Sequence, residues 1–222
     1  MLSAMNSKLL LPACLLVCVL SPRAEEPAAA PAIDFKDVAA GEVPEAFMST
    51  DQEAKFSIVA DGENKVLELA GQPIVDGGML VGKTVKGAGT VTARIKTAGK
   101  RRTQPRFGVG LHGVSGPRLR VVPATKQVEI VLTSDKEEAI GTAAYGWTSG
   151  TWTWLEFTIK AKAGGGSEME GRVWAEGEKR PEKPTVTATS EEAPSQGKAS
   201  VWGTPYAELP VWFDDITVRA GE

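Results

Sequence analysis

The chain has 222 residues, 42% of them hydrophobic, and a formal net charge of −3. That mild acidity excludes bulk electrostatic attachment to nucleic acid, which needs a basic surface. One histidine and two cysteines exclude a multi-histidine zinc site and leave at most one disulfide.

Residues 1–24 read as a targeting signal. Lys8 precedes the apolar run "LLLPACLLVCVL" (9–20), and "SPRA" follows it before an acidic stretch. The run is shorter than the ~20 apolar residues a bilayer span needs and fits a secretory h-region of about 7–15. Cleavage after Ala24 is expected, giving a secreted or periplasmic protein with no membrane segment after cleavage. Cys14 and Cys18 both leave with the signal, so the mature chain has no cysteine. Removing Lys8 and Arg23 from the 25 basic residues leaves 23 against 28 acidic ones. "EEPAAAPA" (25–32) is an Ala/Pro-rich spacer, and residues 33–220 are of a size that suits one domain.

Beyond Ile33 no stretch keeps a 3.6-residue apolar period over three turns. Instead, short runs with β-branched residues alternate with glycine, proline and polar turns. In chain order the predicted strands are "AKFSIVA" (54–60) and "KVLELA" (65–70), joined by the turn "DGEN", then "MLVGKTV" (79–85), "GTVTARIKTA" (89–98), "RFGVGLHG" (106–113) and "RLRVV" (118–122). They continue with "QVEIVLT" (127–133), "WTWLEFTIKAK" (152–162), "MEGRVWAEG" (169–177), "TVTATS" (185–190), "KASVWGT" (198–204) and "PVWFDDITVR" (210–219). A dozen strands without a helix predict an all-β, two-sheet antiparallel sandwich, and their number favours a jelly roll over an immunoglobulin domain.

Alternation sorts the faces. Val91, Ala93 and Ile95 point inward, as do Phe107, Val109, Leu111, Leu119, Val121, Leu155, Phe157 and Ile159. Arg106, Gly108, Gly110, His112, Arg118, Arg120, Trp152, Trp154 and Trp174 then point outward. In the last strand the same rule groups Trp212 and Asp214 with Ile216 and Val218, which would turn a carboxylate inward at considerable cost.

The opening "IDFKDVAAGEVPEAF", "GENKVLEL", the central "GTWTWLEFTIKAKAGG" leading into "GRVWAEGEKRP", and "GKASVWGT" before "VWFDDITVR" carry a resemblance over nearly all of residues 33–219. In these features the chain resembles the concanavalin A-like lectin/glucanase jelly rolls. It is similar to the laminin-G-like and 3-keto-disaccharide-hydrolase-like domains of exported bacterial proteins. The resemblance implies carbohydrate binding, with a polysaccharide or other glycan as partner. It also implies a structural calcium ion, held by Asp214 of the last strand with Asp34 and Asp37 of "IDFKDV" as candidate co-ligands.

The carboxylate-rich strand of laminarinase-type hydrolases, Glu-x-Asp-x-(x)-Glu, is missing from the sequence, and "EME" and "EGE" beside glycine turns read as solvated charge. The leading expectation is therefore a lectin-like protein without catalysis. Its rivals are a glycan-degrading enzyme of the 3-keto-disaccharide hydrolase type, working through His112, and a structural cell-envelope protein. The expected ligand surface is one outward face bearing Arg106, His112, Arg118, Trp154 and Trp174. Its arginines favour an acidic or sulfated glycan, because guanidinium matches carboxylate and sulfate in a bidentate fashion.

Overall fold

The computed structural model describes residues 31–72, 76–133, 136–206 and 208–221; the expected signal and residues 25–30 of the spacer lie outside them. No described residue is helical. The strands are β1 (Met48–Ser49), β2 (Phe56–Asp61), β3 (Asn64–Leu69), β4 (Gly77–Lys86), β5 (Gly89–Lys96), β6 (Arg106–Gly110) and β7 (Arg118–Val122). They continue as β8 (Gln127–Thr133), β9 (Glu137–Ala144), β10 (Trp152–Ala161), β11 (Ser167–Ala175), β12 (Val186–Ser190), β13 (Gln196–Thr204) and β14 (Val211–Ala220).

They form two seven-stranded antiparallel sheets, ordered β1-β4-β13-β6-β7-β8-β9 and β12-β11-β10-β5-β14-β3-β2. This is the jelly-roll sandwich that the alternation predicts. All twelve predicted strands are present. The inward set is as expected: Val91, Ala93, Ile95, Val109, Leu119 and Phe157 are fully buried between the sheets with Leu67, Leu69 and Phe213.

Two strands are additional to the prediction. β1 has two residues, and β9, "EEAIGTAA", is an Ala- and Gly-rich edge strand with no alternation of large apolar side chains. Gly141 explains its composition. A Cβ there would stand 2.6 Å from the Thr187 carbonyl oxygen, so glycine lets β12 of the other sheet close against β9 and shut one side of the sandwich.

The last strand corrects the alternation rule. Asp214 pairs with Arg94 but Thr217 with Thr92, so three residues of β14 oppose two of β5, and Asp215 takes a left-handed φ of 48°. This β-bulge shifts the phase by one residue. Trp212 and Asp214 face outward, Ile216 joins the core with Phe213, and no carboxylate enters the interior.

Candidate functional site

The five expected ligand residues do not share one face. Arg106 on β6 and Arg118 on β7 project from the outer face of the first sheet. Trp154 on β10 and Trp174 on β11 lie on the outer face of the second, with the full sandwich between them. His112 follows β6 and lines a cavity at the end of the sandwich. The residue-by-residue alternation holds; what fails is the assumption that the strands belong to one sheet.

On the second sheet the outward side chains form two cross-strand rungs. Trp174, Trp154, Arg94 and Asp214 are successive partners on β11, β10, β5 and β14, and Trp152, Lys96, Trp212 and Glu68 are partners on β10, β5, β14 and β3. Trp154 and Trp174 stack with centroids 5.8 Å apart and planes 6° from parallel, so each ring presents a face to the other. Lys96 Nζ lies 4.7 Å from the Trp152 ring and 4.2 Å from the Trp212 ring, whose Nε1 donates to Glu68 at 2.6 Å. These contacts bind strand to strand. The rings are already partnered.

Asp214 is held in the first rung. Its Oδ2 accepts from Arg94 Nη2 at 2.7 Å and from Asn64 Nδ2 at 2.8 Å, while Asp215 and Glu176 each lie 2.8 Å from other nitrogens of the same guanidinium. Asp34 instead caps its own turn, accepting from the Lys36 amide and pairing with Lys36 Nζ. Calcium takes about 6–8 oxygen ligands, and the residues present do not fit it. A guanidinium supplies the positive charge beside Asp214, and among the described residues no group of three His, Cys, Asp or Glu is placed to hold a metal ion.

On the first sheet, Arg118 is internal structure. Its guanidinium lies 3.2 Å from the centroid of Trp202, Nη1 donates to Asp76 at 2.6 Å and Nη2 to the Val114 carbonyl at 3.0 Å. Trp202 fits over Gly78, where a Cβ would meet the indole at 2.5 Å. Burial raises the Asp76 pKa, opposed by the charge and hydrogen bond of Arg118. Arg120 is likewise neutralised by Glu137 at 2.5 Å and Glu129 at 3.0 Å.

Arg106 differs. It has no ion-pair partner among the described residues; its Nη2 donates to the Tyr206 hydroxyl at 2.9 Å, and its guanidinium lies 5.3 Å from the Tyr206 ring centroid. Tyr206 is 41% exposed. The pair opens onto a depression of about 500 Å³ that also touches Arg102, Gln104 and Val122. Arg102 and Gln104 carry the surface into a neighbouring depression of about 640 Å³ walled by Arg101, Lys126 and Trp147. Trp147 is anchored against the core ring of Phe107, 5.7 Å away. Like Arg106, Arg101 and Arg102 have no ion-pair partner among the described residues.

Of the expected ligand residues, then, only Arg106 belongs to an open, aromatic-lined basic surface. Arg101, Arg102, Trp147 and Tyr206 are the members that strand alternation misses, because all four sit in loops. The doublet "RR" at 101–102 and the isolated loop aromatics were the available signals.

No protein-family model matches the chain, and no curated protein matches its sequence. Solved structures do share its fold. It is similar to the carbohydrate-binding module CBM66 from Bacillus subtilis, with a TM-score of 0.56, 9% identity, and coverage of 79% of this chain and 96% of that one. The Emp47p carbohydrate recognition domain superposes with a TM-score of 0.57 at 8% identity, over 89% of this chain and all of the other. A marine PL-14 alginate lyase from Aplysia kurodai gives 0.53 at 8% identity, over 80% and 91%. At these identities the likeness establishes architecture: the chain is a concanavalin A-like jelly-roll sandwich. The same architecture carries binding modules and a lyase, so function must come from the site.

Proposed function

We propose that this protein is an exported, lectin-like carbohydrate-binding protein that recognises acidic glycans at the sandwich end formed by Arg101, Arg102, Arg106, Trp147 and Tyr206. One observation carries the reading: three arginines without acidic partners among the described residues surround adjoining open depressions walled by Tyr206 and Trp147. Their volumes fall within the roughly 300–1,000 Å³ typical of ligand sites. Aromatic faces suit the apolar faces of pyranose rings, and unpaired guanidinium groups suit carboxylate or sulfate. Packing against Phe107 anchors the Trp147 ring, so that ring needs little ordering on binding. The secreted or periplasmic setting rests on the apolar run at 9–20, and the kinship in fold to carbohydrate-binding modules supports the ligand class.

The test is retention of purified protein on a panel of acidic and neutral polysaccharides, with release of reducing sugar followed in parallel. Selective retention on acidic polymers without sugar release is expected. Equal retention on both, or catalytic release, overturns the reading.

A further inference from the structure

At the other end of the sandwich, between the mouths of the two sheets, lies a cavity of about 280 Å³. Its floor is apolar, made by Ile159 and Met169, and its walls carry the hydroxyls of Ser167, Ser190 and Ser195. Glu138 and Glu192 bring carboxylates, and among the described residues no lysine or arginine lines it.

His112 is the most constrained residue of this wall. It is 7% exposed and adopts a left-handed φ of 67°, unusual for a residue with a side chain. Hydrogen bonds lock the turn on either side: Leu111 N donates to the Pro117 carbonyl at 3.2 Å and Gly113 N to the Lys198 carbonyl at 2.8 Å. The imidazole Nε2 lies 2.8 Å from the Gly87 carbonyl, an acceptor, so Nε2 carries the proton and Nδ1 is left as a lone-pair acceptor. Nδ1 has no partner among the described residues. Thr133 Oγ1, on the same wall, is buried and likewise without one.

From this geometry we infer a second ligand site, for a single uncharged or amino-substituted sugar ring, distinct from the arginine-rich end. The wall offers acceptors at His112 Nδ1, Glu138 and Glu192, and hydroxyls at the serines, above an apolar floor that suits one face of a pyranose. A volume near the lower limit of ordinary ligand sites admits one ring rather than a chain. Two carboxylates without a compensating base disfavour uronic acids and sulfated sugars, the opposite preference to that of the Arg102 end.

His112 is the only histidine in the chain, so its imidazole resonances form a site-specific NMR reporter. The mature protein is titrated with glucosamine, glucose and glucuronate. Saturable shifts of the imidazole signals are expected with glucosamine or glucose and not with glucuronate. Ser195→Trp, a substitution at an exposed rim position, should weaken that response at least tenfold with the fold retained by circular dichroism. Arg102→Ala should leave the response unchanged, which separates this site from the acidic-glycan surface. Unmoved imidazole signals with glucosamine and glucose, an equal response to glucuronate, or an undiminished response in Ser195→Trp overturns the assignment.

Discussion

Arg94 Nη2 sits 2.7 Å from Asp214 Oδ2, and that contact answers why two adjacent aspartates are tolerated in the closing strand. The bulge turns Asp214 and Asp215 toward one guanidinium, which Glu176 also reaches. One cation thus serves three carboxylates, two of them beside each other. Burial raises the Asp215 pKa, the Asp214 charge pushes it in the same direction, and Arg94 only partly opposes them. An acid whose folded pKa is raised weakens the fold once ionised; the penalty is absent below its unfolded value of about 3.9 and grows as pH rises through the folded one. Asp215→Asn should therefore raise the melting temperature at pH 7, with the gain shrinking toward zero as pH falls to about 3.9. Asparagine also tolerates the left-handed φ, so the backbone is undisturbed. A gain that does not vary with pH would refute the electrostatic account.

Removing the cation has the opposite consequence. Arg94→Met leaves Asp214, 5% exposed, with Asn64 as its remaining side-chain partner. The expected loss is about 2 kcal/mol, below the ~3–5 kcal/mol for breaking a fully buried pair because Arg94 remains partly solvated. Urea denaturation of parent and variant measures it.

Because Arg94 rather than a metal ion neutralises Asp214, excess EDTA should leave the melting temperature unchanged, and added calcium should not raise it. A calcium-dependent increase in the midpoint would restore Asp34, Asp37 and Asp214 as ligands.

Sequence periodicity reveals what repeats and misses what interrupts. Val91, Ala93 and Ile95 are legible because every second residue meets the core. Alternation puts Asp214 on the wrong face because a bulge adds one residue to β14 without changing its composition. β9 escapes the pattern because Gly141 is needed for close approach to β12 and most of its other residues are small or charged, which leaves no apolar alternation to read. The outward direction of Arg106 and Trp154 was readable from each strand. That they point away from opposite sheets depends on long-range pairing, which no local pattern encodes. Tyr206 and Trp147 lie in loops, where period-2 reasoning has nothing to say.

His112 supplies a pH signature. Burial lowers its pKa, with the hydrogen bond to the Gly87 carbonyl opposing, so the folded protein holds the neutral imidazole. Stability from this group is full above the unfolded value of about 6.5 and is lost as pH falls below it, until the folded form also takes up a proton. Glu138 and Glu192 are the carboxylates that share the cavity with it. His112→Asn, which accepts the left-handed φ, should flatten the decline in melting temperature just below pH 6.5. A slope identical to that of the parent would mean that another group is responsible.

The glycan reading is tested most sharply by contrasting the two aromatic groups. Tyr206 is exposed beside an arginine without an acidic partner among the described residues, whereas Trp154 is stacked on Trp174. Tyr206→Ala and Arg106→Ala should each weaken retention on acidic polysaccharide by about tenfold, corresponding to about 1.4 kcal/mol for a lost ring contact or charge-assisted bond. Trp154→Ala should retain binding yet lower stability, since the offset stack alone contributes about 0.5–1.5 kcal/mol beyond the area buried. The arginine contribution should fall as salt rises, because the depressions are open and a Debye length of about 10 Å at 0.1 M screens exposed charges. If Trp154→Ala abolishes retention in folded protein while Tyr206→Ala does not, the ligand lies on the second sheet and the arginine-rich end is not the binding surface.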